Sequence, residues 1–547
     1  MNKSIEKILK DAEFLYGQEG NSRSYYEELA NFCLPRKAWI NSVRVNGDRQ
    51  KDSFLFDIRA IICAQESVCG FHSYLTNPSA RWHESRFVDD KIMQYGKVQR
   101  NLKTCDDIMF DVMNDSNFED AILENYMDHM IFGPGNIMTM EDEKDEVRYN
   151  EIPVEQYSFA QDARGRVNEI YWYKTYTASE LNSEPDFNLP DEVKKALKEK
   201  PYVRMFEVLR YIGPRDFRDP YKQDKVNKAW RYMVILKKPE HLLYEGGFDE
   251  LPNAVGRWWK DAGGDPRGFS PAMNALASVK LLNAQKRTFI RSAMKHSDPA
   301  VLSPNRGFMN TPNFNPSAMN YYDSKKFKVD AFRFLNPEGN PNINIEAMDL
   351  EFQVIERCFY VDIFRALSNL TMDKKKRSIP EIQRIVSEGM TMLGPIIGKI
   401  INETLNPTLD RTWNILERRG LFGDLIPDEL KTMRKKRVFL SPLARAQKSS
   451  QMQGISTYAQ FIGELSQFKQ DVVDNMDADR VMQIVADIQG VDPTVQVEAS
   501  KIARIRQQRA KMQQAQQAAA VAEQAASAAH KSGQAKKAMA ESEAVGA

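Results

Sequence analysis

Four consecutive positive charges stand between two helix-like segments of the sequence, at Lys374, Lys375, Lys376 and Arg377. Ammonium and guanidinium groups placed in this way can contact phosphate oxygens or pair with carboxylates. The whole chain carries 76 Lys and Arg against 75 Asp and Glu, a formal net charge of +1. This balance argues against a protein held on nucleic acid by a broadly basic surface, so any such contact should be local.

Signatures of catalysis are mostly absent. The sequence contains no GxGxxG, HExxH or GxSxG motif. The histidines have no metal-ligand spacing; they are His72, His83, His129, His241, His296 and His530. Gly394 to Lys399 resembles a phosphate loop, but it is one residue short, lacks a following Ser or Thr and lies in a helical pattern. We therefore predict that the protein is not an enzyme and has no catalytic residue, metal or cofactor.

The cysteine pattern and the apolar runs indicate the redox compartment of the protein and whether it contacts a membrane. The five cysteines are odd in number and lack metal or CxxC spacing, which favours buried thiols in a reducing compartment; they are Cys33, Cys63, Cys69, Cys105 and Cys358. The N-terminus has no signal-peptide pattern, and the apolar run from Met390 to Ile401 is too short to span a bilayer. We predict no contact with a membrane.

Two patterned segments flank the four charges. Before them, apolar residues at helical spacing predict a helix with one apolar face; they are Met348, Phe352, Ile355, Phe359 and Ile363. After them, a second pattern defines where the chain becomes helical again.

That second pattern is a capping box. Ser378 and Glu381 have the required types and spacing, and Pro380 suits the first helical turn, so the helix should begin at a sharply defined point. Gly394 and Pro395 should kink this helix, because proline removes an amide donor and clashes with the preceding turn. The four charges are thereby confined to a short loop.

A longer helix is predicted earlier in the chain, in the segment FSPAMNALASVKLLNAQKRTFIRSAMK. Ser270 is placed as its N-cap and Pro271 as its first helical residue. Its polar face carries Lys280, Arg287 and Arg291, at spacings of seven and four residues. A segment dense in Pro and Asn follows, which excludes a persistent helix or central strand.

The order of patterns predicts a mainly helical α+β protein. Helical segments come first, and β-rich segments from about residue 136 to residue 238 predict a small antiparallel sheet. From Pro427 a compact helical unit is expected. Beyond about Lys511 the sequence consists mostly of Ala, Gln, Ser and Lys, which indicates a frayed helix or a disordered tail.

The same order resembles the portal proteins, or head-to-tail connectors, of short-tailed bacteriophages. The stretches that resemble the family are FDIRAIICAQESVCGFHSYLTNPSARWHESRF, DHMIFGPGNIMTMEDE, GFSPAMNALASVKLLNAQKR and VFLSPLARAQKSSQMQGI. They stand in the family's order and cover the chain to about residue 510. Several such stretches together, instead of one sharp motif, carry the resemblance.

The resemblance implies an elongated subunit that assembles into a ring of twelve. The implied regions are a wing of helices and a small sheet (1–269), a first stem helix (270–296), a clip (297–343), a second stem helix (344–367), a channel loop (368–378), a long kinked wing helix (379–426), a crown (427–495) and a C-terminal helical or disordered tail (496–547).

The resemblance also implies a function. Portal rings occupy one vertex of the capsid, admit and release double-stranded DNA, and provide the platform on which terminase and tail adaptor proteins dock. Implied partners are further copies of the chain, the large terminase subunit, tail adaptors, the major capsid and scaffold proteins, and DNA in the channel. The implied location is the virion, with host cytoplasm during assembly.

The basic residues have two interpretations at this stage. Lys374 to Arg377 could touch DNA transiently in the channel, with contributions from Lys280, Arg287 or Arg291, or the tetrad could be a solvated loop. The stem bases could equally pair with acidic residues of the next stem helix, at Glu346, Asp349 or Glu356.

Two further classes of function remain open from the sequence. The long helices and the Ala/Gln tail also suit a scaffold or other structural protein of the same particle without a DNA channel, although the β-rich middle and the lack of sustained heptads argue against it. A nuclease that uses scattered carboxylates would reveal itself by metal-dependent cleavage.

Overall fold

The computed structural model describes most of the chain. The described residues are 4–42, 52–89, 92–219, 221–222, 224–260, 265–297, 301–302, 333–334, 342–365, 393–431, 433–440, 454–465, 476–489 and 499–544. They fall into two compact units. The first draws on Met1–Trp82 and Ile108–Leu421, and the second on His83–Asp107, Phe422–Leu440 and Gln451–Ala547.

Helices and strands alternate along the described chain, which confirms the α+β prediction. The helices are α1 (Ile5–Gln18), α2 (Gly20–Cys33), α3 (Arg59–Leu75), α4 (Gly96–Asp115), α5 (Phe118–Ile131), α6 (Ala178–Asn182), α7 (Asp191–Glu199), α8 (Pro271–Ser297), α9 (Asn342–Cys358), α10 (361–365), α11 (393–400), α12 (Asn406–Arg418), α13 (Asp428–Lys431), α14 (454–465), α15 (Ala478–Gln489) and α16 (Ala499–Ala544). The strands are β1 (His83–Phe87), β2 (Pro134–Asp142), β3 (Glu146–Glu151), β4 (Tyr157–Gln161), β5 (Val167–Thr177), β6 (Met205–Pro214), β7 (Trp230–Leu236), β8 (His241–Phe248), β9 (Asn253–Arg257), β10 (Val301–Leu302), β11 (Arg333–Phe334) and β12 (Lys435–Phe439).

The β-rich middle of the first unit forms two antiparallel sheets. One has the order β3-β2-β9 and the other the order β4-β5-β6-β7-β8. The extended segments predicted from the sequence are confirmed as β2 to β7. The prediction of one small sheet is wrong, because β8 and β9 add two strands and β2 pairs with β9 instead of joining β4.

The five-stranded sheet is covered on both faces. Side chains alternate across each strand, so neighbouring residues of β6 and β7 enter different cores. On one face Ile8 and Leu9 of α1 pack against Tyr171, Leu209 and Ile235. On the other face the side chains come from β4 to β8, α6, α7 and the second sheet. Each fully buried large aliphatic side chain contributes about 1.5–3 kcal/mol.

The helical segments expected at the start of the chain are confirmed, among them α2, α3 and α5. A close approach fixes one glycine on α3: a Cβ at Gly70 would lie 2.5 Å from the ring of Phe364. Phe364 meets Phe71 edge to face, and Phe71 meets Trp258 in the same way, with ring centroids 5.1 and 5.4 Å apart. This aromatic cluster holds α10 against α3.

Helix α8 begins where the sequence predicted. The backbone N–H of Met273 donates to Ser270 Oγ at 3.1 Å, and the same hydroxyl donates to the carbonyl of Ile131 at 2.7 Å. At 27 residues the helix is about 40 Å long. Its N-terminal half is buried and its C-terminal half is mostly exposed; the buried residues are Pro271, Ala272, Ala275, Leu276, Val279 and Leu282.

The helix predicted through Ile363 is interrupted, which corrects that prediction. Helix α9 ends at Cys358, and Tyr360 has a φ of 60°, so the chain turns before α10. Apolar residues continue at helical spacing through the turn, so the sequence pattern conceals it. Between α8 and α9, β10 and β11 pair antiparallel.

The region of the long kinked helix (379–426) contains an irregular turn that the sequence did not reveal. Helix α11 includes Gly394 and Pro395, and a π-helical turn at Ile401–Leu405 separates it from α12. Pro407 stands in the first turn of α12 and has no amide proton to donate to the preceding turn. The kink expected at Gly394 and Pro395 stays a prediction, since residues 366–392 lie outside the described residues.

The second unit contains a strand pair that the sequence did not reveal. Strands β1 and β12 pair antiparallel, with His83 opposite Phe439. The helical prediction from residue 427 is therefore wrong at β12, although α14 and α15 are helical as expected. The tail, for which a frayed helix and disorder were left open, is helical over Ala499–Ala544.

Candidate functional site

The predicted loop site cannot be placed. The following predicted residues lie outside the described residues: Lys374, Lys375, Lys376, Arg377, Ser378, Pro380 and Glu381. Their role in DNA contact and in helix capping stays a prediction.

The three predicted bases on α8 come together at one groove. Lys280, Arg287 and Arg291 share a stripe of the helix and line an open groove of about 500 Å³. Phe54 and Phe56 form part of the opposite wall. The sequence predicted the shared face of the bases but not the aromatic wall, which comes from a segment more than 220 residues earlier in the chain.

Asn283 fixes the two walls to one another. Its side-chain oxygen accepts from the backbone N–H groups of Phe56 and Asp57 at 2.7 and 3.2 Å, and its amide donates to the carbonyl of Phe54 at 3.2 Å. Lys286 Nζ lies 2.7 Å from the buried carboxylate of Asp57. One amide and one ion pair therefore hold this segment on α8.

The three bases differ in what they already contact. Lys280 pairs with Glu28 of α2. The Arg287 guanidinium lies 5.5 Å from the ring centroid of Phe56, within range of a cation–π interaction. Arg291 forms no hydrogen bond or ion pair with any described residue, so its charge is available to a ligand.

The acidic partners considered from the sequence are placed differently. Glu356 accepts from Arg365 Nη1 at 2.7 Å within the same chain. Glu346 and Asp349 are exposed on α9. The partner found for Lys280 is thus Glu28, which no local pattern could identify because it is 252 residues away in the sequence.

The groove presents positively charged groups. The guanidinium groups of Arg287 and Arg291 and the ammonium group of Lys280 are donors suited to phosphate or carboxylate oxygens. Among the described residues no group of His, Cys, Asp or Glu is arranged to hold a metal ion. The arrangement is that of a contact surface.

Charged groups elsewhere in the first unit stabilise the fold. Glu19 bridges Arg23 and Arg267, and it also accepts from Ser158 Oγ at 2.6 Å. Arg267 is buried and its guanidinium lies 5.6 Å from the ring of Tyr26. A carboxylate shared by two buried guanidinium groups satisfies charges that burial alone would penalise heavily.

A second cluster surrounds Lys37. Its Nζ lies 2.6 Å from Asp128, 3.1 Å from Glu124 and 3.3 Å from Glu151. Burial opposes the charge of Lys37, but the three carboxylates outweigh it and raise its pKa. Burial and the neighbouring Asp128 raise the pKa of Glu151 well above its usual value.

Burial also raises the pKa of Glu155 to about 7. Its Oε2 atom is buried without a hydrogen-bond partner among the described residues. The charges of Asp128, Lys37 and Arg23 act on it, and we assign this carboxyl to the core.

The π-helical turn is tied to β9 by buried contacts. Arg257 donates from Nε and Nη2 to Glu403 at 3.1 and 2.9 Å. His129 Nε2 lies 3.2 Å from Thr404 Oγ1, and burial lowers the pKa of this imidazole. A Cβ at Gly256 would lie 2.0 Å from Thr404 Oγ1, so only glycine fits there.

The cysteines only partly match the prediction of buried thiols. Cys33, Cys63 and Cys105 are buried, and burial raises the pKa of Cys33 and of Cys63 to about 12. Cys69 is exposed and Cys358 is half-buried, so the prediction is wrong for these two. Within the described residues, no helix has the length and apolar content needed to cross a bilayer.

Comparison with known proteins defines the class. The model of a family described as bacteriophage head to tail connecting protein matches residues 6–496. The chain belongs to this family, so the predicted resemblance is confirmed. Proteins of the family are structural components of the virion at the junction of head and tail.

Two relatives extend over almost the whole chain. The portal protein of Salmonella phage epsilon15 is 28% identical over 516 residues, which cover 93% of this chain and 92% of that protein. The probable portal protein of Bordetella phage BPP-1 is 25% identical over 505 residues, which cover 90% and 88% of the two chains.

Proposed function

We propose that the chain is the subunit of a portal ring of twelve copies at one capsid vertex. Double-stranded DNA passes through this ring during packaging and ejection. The observation that carries the proposal is the family match over residues 6–496, joined to two near-full-length relatives that are named as portal or probable portal proteins.

The regions of the proposed subunit follow the predicted boundaries. The two-sheet body and its helices supply the wing (1–269). Helices α8 and α9 supply most of the two stem regions, 270–296 and 344–367, and the clip (297–343) contains β10 and β11. The long wing helix (379–426), crown (427–495) and tail (496–547) contain α11 to α16. The channel loop (368–378) lies outside the described residues.

Exposed apolar side chains on both stem helices support contact with neighbouring subunits. Helix α8 exposes Leu281 and Met294, and α9 exposes Ile345, Leu350 and Val354. Within a ring each stem would lie beside two others, and these side chains would leave water there. Burial recovers about 25 cal/mol for each Å² of apolar surface.

The basic loop is proposed as a transient contact with DNA in the channel. Four charges in each of twelve subunits would give about 48 charges, and a simultaneous grip by all of them would oppose sliding. Either the loops engage in turn, or some charges pair with Asp373, Glu381 or a neighbouring subunit.

This loop proposal has a direct test. All four residues from Lys374 to Arg377 are changed to Gln, and the length and retention of packaged DNA are measured in assembled particles. We expect shorter or less well retained DNA. Normal packaging and retention would remove the loop contact without affecting the family assignment.

The stem bases make a smaller proposed contribution to the same contact. Since Lys280 pairs with Glu28 and Arg287 stacks on Phe56, Arg291 has the most freedom to meet a phosphate. Arg291→Gln should alter DNA retention more than Lys280→Gln does. Equal effects would instead favour a role in packing between subunits.

Partners follow from the proposed position at the vertex. Terminase would dock during packaging, tail adaptor proteins would replace it, and capsid and scaffold proteins would surround the ring during assembly. In this arrangement the portal supplies a passage and a docking surface, while a separate ATPase supplies the energy.

The ring itself is tested by negative-stain imaging of the purified chain. Rings with a central hole support the proposal. Rods or shells would favour a scaffold or other structural protein of the particle, the second candidate, which the 46-residue helix α16 makes reasonable.

A further inference from the structure

A second basic segment lies at the start of α16, outside the residues that the sequence assigned to DNA contact. Residues 501–511 contain five basic side chains, at Lys501, Arg504, Arg506, Arg509 and Lys511. No Asp or Glu occurs between residues 499 and 522. Arg504, Arg509 and Lys511 therefore have no acidic residue one helical turn away, unlike most charged surface helices.

The described side chains of this segment are exposed. Arg504, Arg509 and Lys511 are all solvent-exposed on a continuous helix, and none forms an ion pair with a described residue. This distinguishes them from Lys280, Arg287 and Lys286 of α8, which already contact an acid or an aromatic ring.

Two of the bases share one stripe of the helix, and two exposed apolar residues share another. Arg504 and Lys511 are seven residues apart and share one stripe, whereas Ile505 and Met512, also seven apart, are exposed on a stripe about 100° away. One side of the helix could therefore pack against another helix while the basic side stays accessible.

We propose that the stripe of Arg504 and Lys511 binds the phosphate backbone of double-stranded DNA. This inference rests on the proposed ring, in which copies of α16 would be repeated around the axis and present a collar of charge. Phosphate is favoured over an acidic protein because the basic stripe carries no apolar anchor. Its neighbours Gln507 and Gln508 are further donors of the kind that contact DNA backbones.

The test uses the full chain and a fluorescein-labelled 30-base-pair duplex. Affinity is measured by anisotropy at several salt concentrations for the parent chain and for Arg504→Gln/Lys511→Gln. The matched control is Lys194→Gln/Lys198→Gln, which removes two exposed charges from α7. A charge-retaining variant, Arg504→Lys/Lys511→Arg, separates loss of charge from disturbance of the helix.

We expect the stripe variant to bind at least about tenfold more weakly, with a salt slope smaller by about 1.8 for each chain that contacts the duplex. The control and the charge-retaining variant should bind like the parent. Unchanged affinity and slope in the stripe variant, or an equal loss in the α7 control, would overturn the proposal.

Two further measurements separate the remaining outcomes. Native mass spectrometry of each variant reports ring formation. An intact ring whose DNA binding does not depend on Arg504 and Lys511 contradicts this inference alone. Absence of rings in the parent chain contradicts the proposed function. The second measurement replaces the duplex with polyglutamate. If polyglutamate binds through Arg504 and Lys511 and duplex DNA does not, the surface binds an acidic protein instead.

Discussion

The two halves of α8 differ in what covers them. Leu276, Val279 and Leu282 of the N-terminal half are buried by the chain's own helices, whereas Met294 of the C-terminal half is 64% exposed. The N-terminal half is thus stabilised within the subunit. The C-terminal half leaves apolar surface that a neighbouring subunit of the proposed ring would cover.

The ion pairs show the same contrast. Arg257 is buried and its partner Glu403 is three-quarters buried, while Lys280 of α8 and Glu28 of α2 are both exposed. Buried pairs are costly to break because the remaining charge stays without compensation. Exposed pairs contribute little because water already solvates each charge.

The largest expected effect is loss of the buried pair. Glu403→Ala should lower the free energy of unfolding by about 3–5 kcal/mol, since the Arg257 guanidinium stays buried without its carboxylate. Urea denaturation measures the change. The matched control Glu28→Ala should cost less than about 1 kcal/mol. Equal losses of unfolding free energy in the two variants would contradict the difference between the buried and the exposed ion pair.

Adjacent leucines of α8 give the second test. Leu282→Ala removes a side chain that is 1% exposed and should cost about 2–5 kcal/mol. Leu281→Ala, one residue earlier in the helix, should change the stability of the isolated subunit by no more than about 0.5 kcal/mol. Thermal unfolding of both proteins under conditions that keep them monomeric checks the difference.

The third prediction concerns the pH dependence of the buried core. Burial raises the pKa of Glu155 from 4.5 to about 7, so the folded chain holds more protons than the unfolded chain between these pH values. The contribution of this carboxyl to stability therefore falls as pH rises through that window.

Glu155→Gln should accordingly leave stability near pH 4.5 unchanged and increase it by roughly 3 kcal/mol at pH 8. The difference between the unfolding midpoints of variant and parent, measured across this range, tests the sign. A difference that is constant with pH would show that the carboxyl does not titrate as proposed.

The smallest effect on subunit stability is expected on the exposed face of α9. Leu350→Asp, at a side chain that is 64% exposed, should change subunit stability by less than about 0.5 kcal/mol. It should nevertheless reduce the fraction of chains in rings, because a carboxylate would be buried between stems. Glu346→Asp on the same helix serves as the control. Normal ring formation by Leu350→Asp would place α9 outside the interface.

Local patterns in the sequence predicted much of the fold. Ser270 and Pro271 define the start of α8 because a cap and a first-turn proline act within one helical turn. Strands β2 to β7 were found from their composition. Local patterns could not predict which strands pair. Strands β1 and β12 pair with one another, but they are short, mostly polar segments about 350 residues apart.

Irregularities inside helices were also hidden. The turn at Tyr360 carries no glycine or asparagine to signal its positive φ, and the π-helical turn precedes Pro407 instead of Pro395. At the candidate site, the common face of Lys280, Arg287 and Arg291 was predictable from helical spacing. Their contacts with Glu28 and Phe56 were not, because these depend on tertiary structure.

Native mass spectrometry of the full-length chain tests the central claim most directly. A closed ring of twelve 62.9 kDa subunits predicts one dominant assembly of about 755 kDa, which persists at low protein concentration and is lost in Leu350→Asp. A stable monomer of 62.9 kDa, or a continuous series of larger masses as in an open filament, would contradict the account.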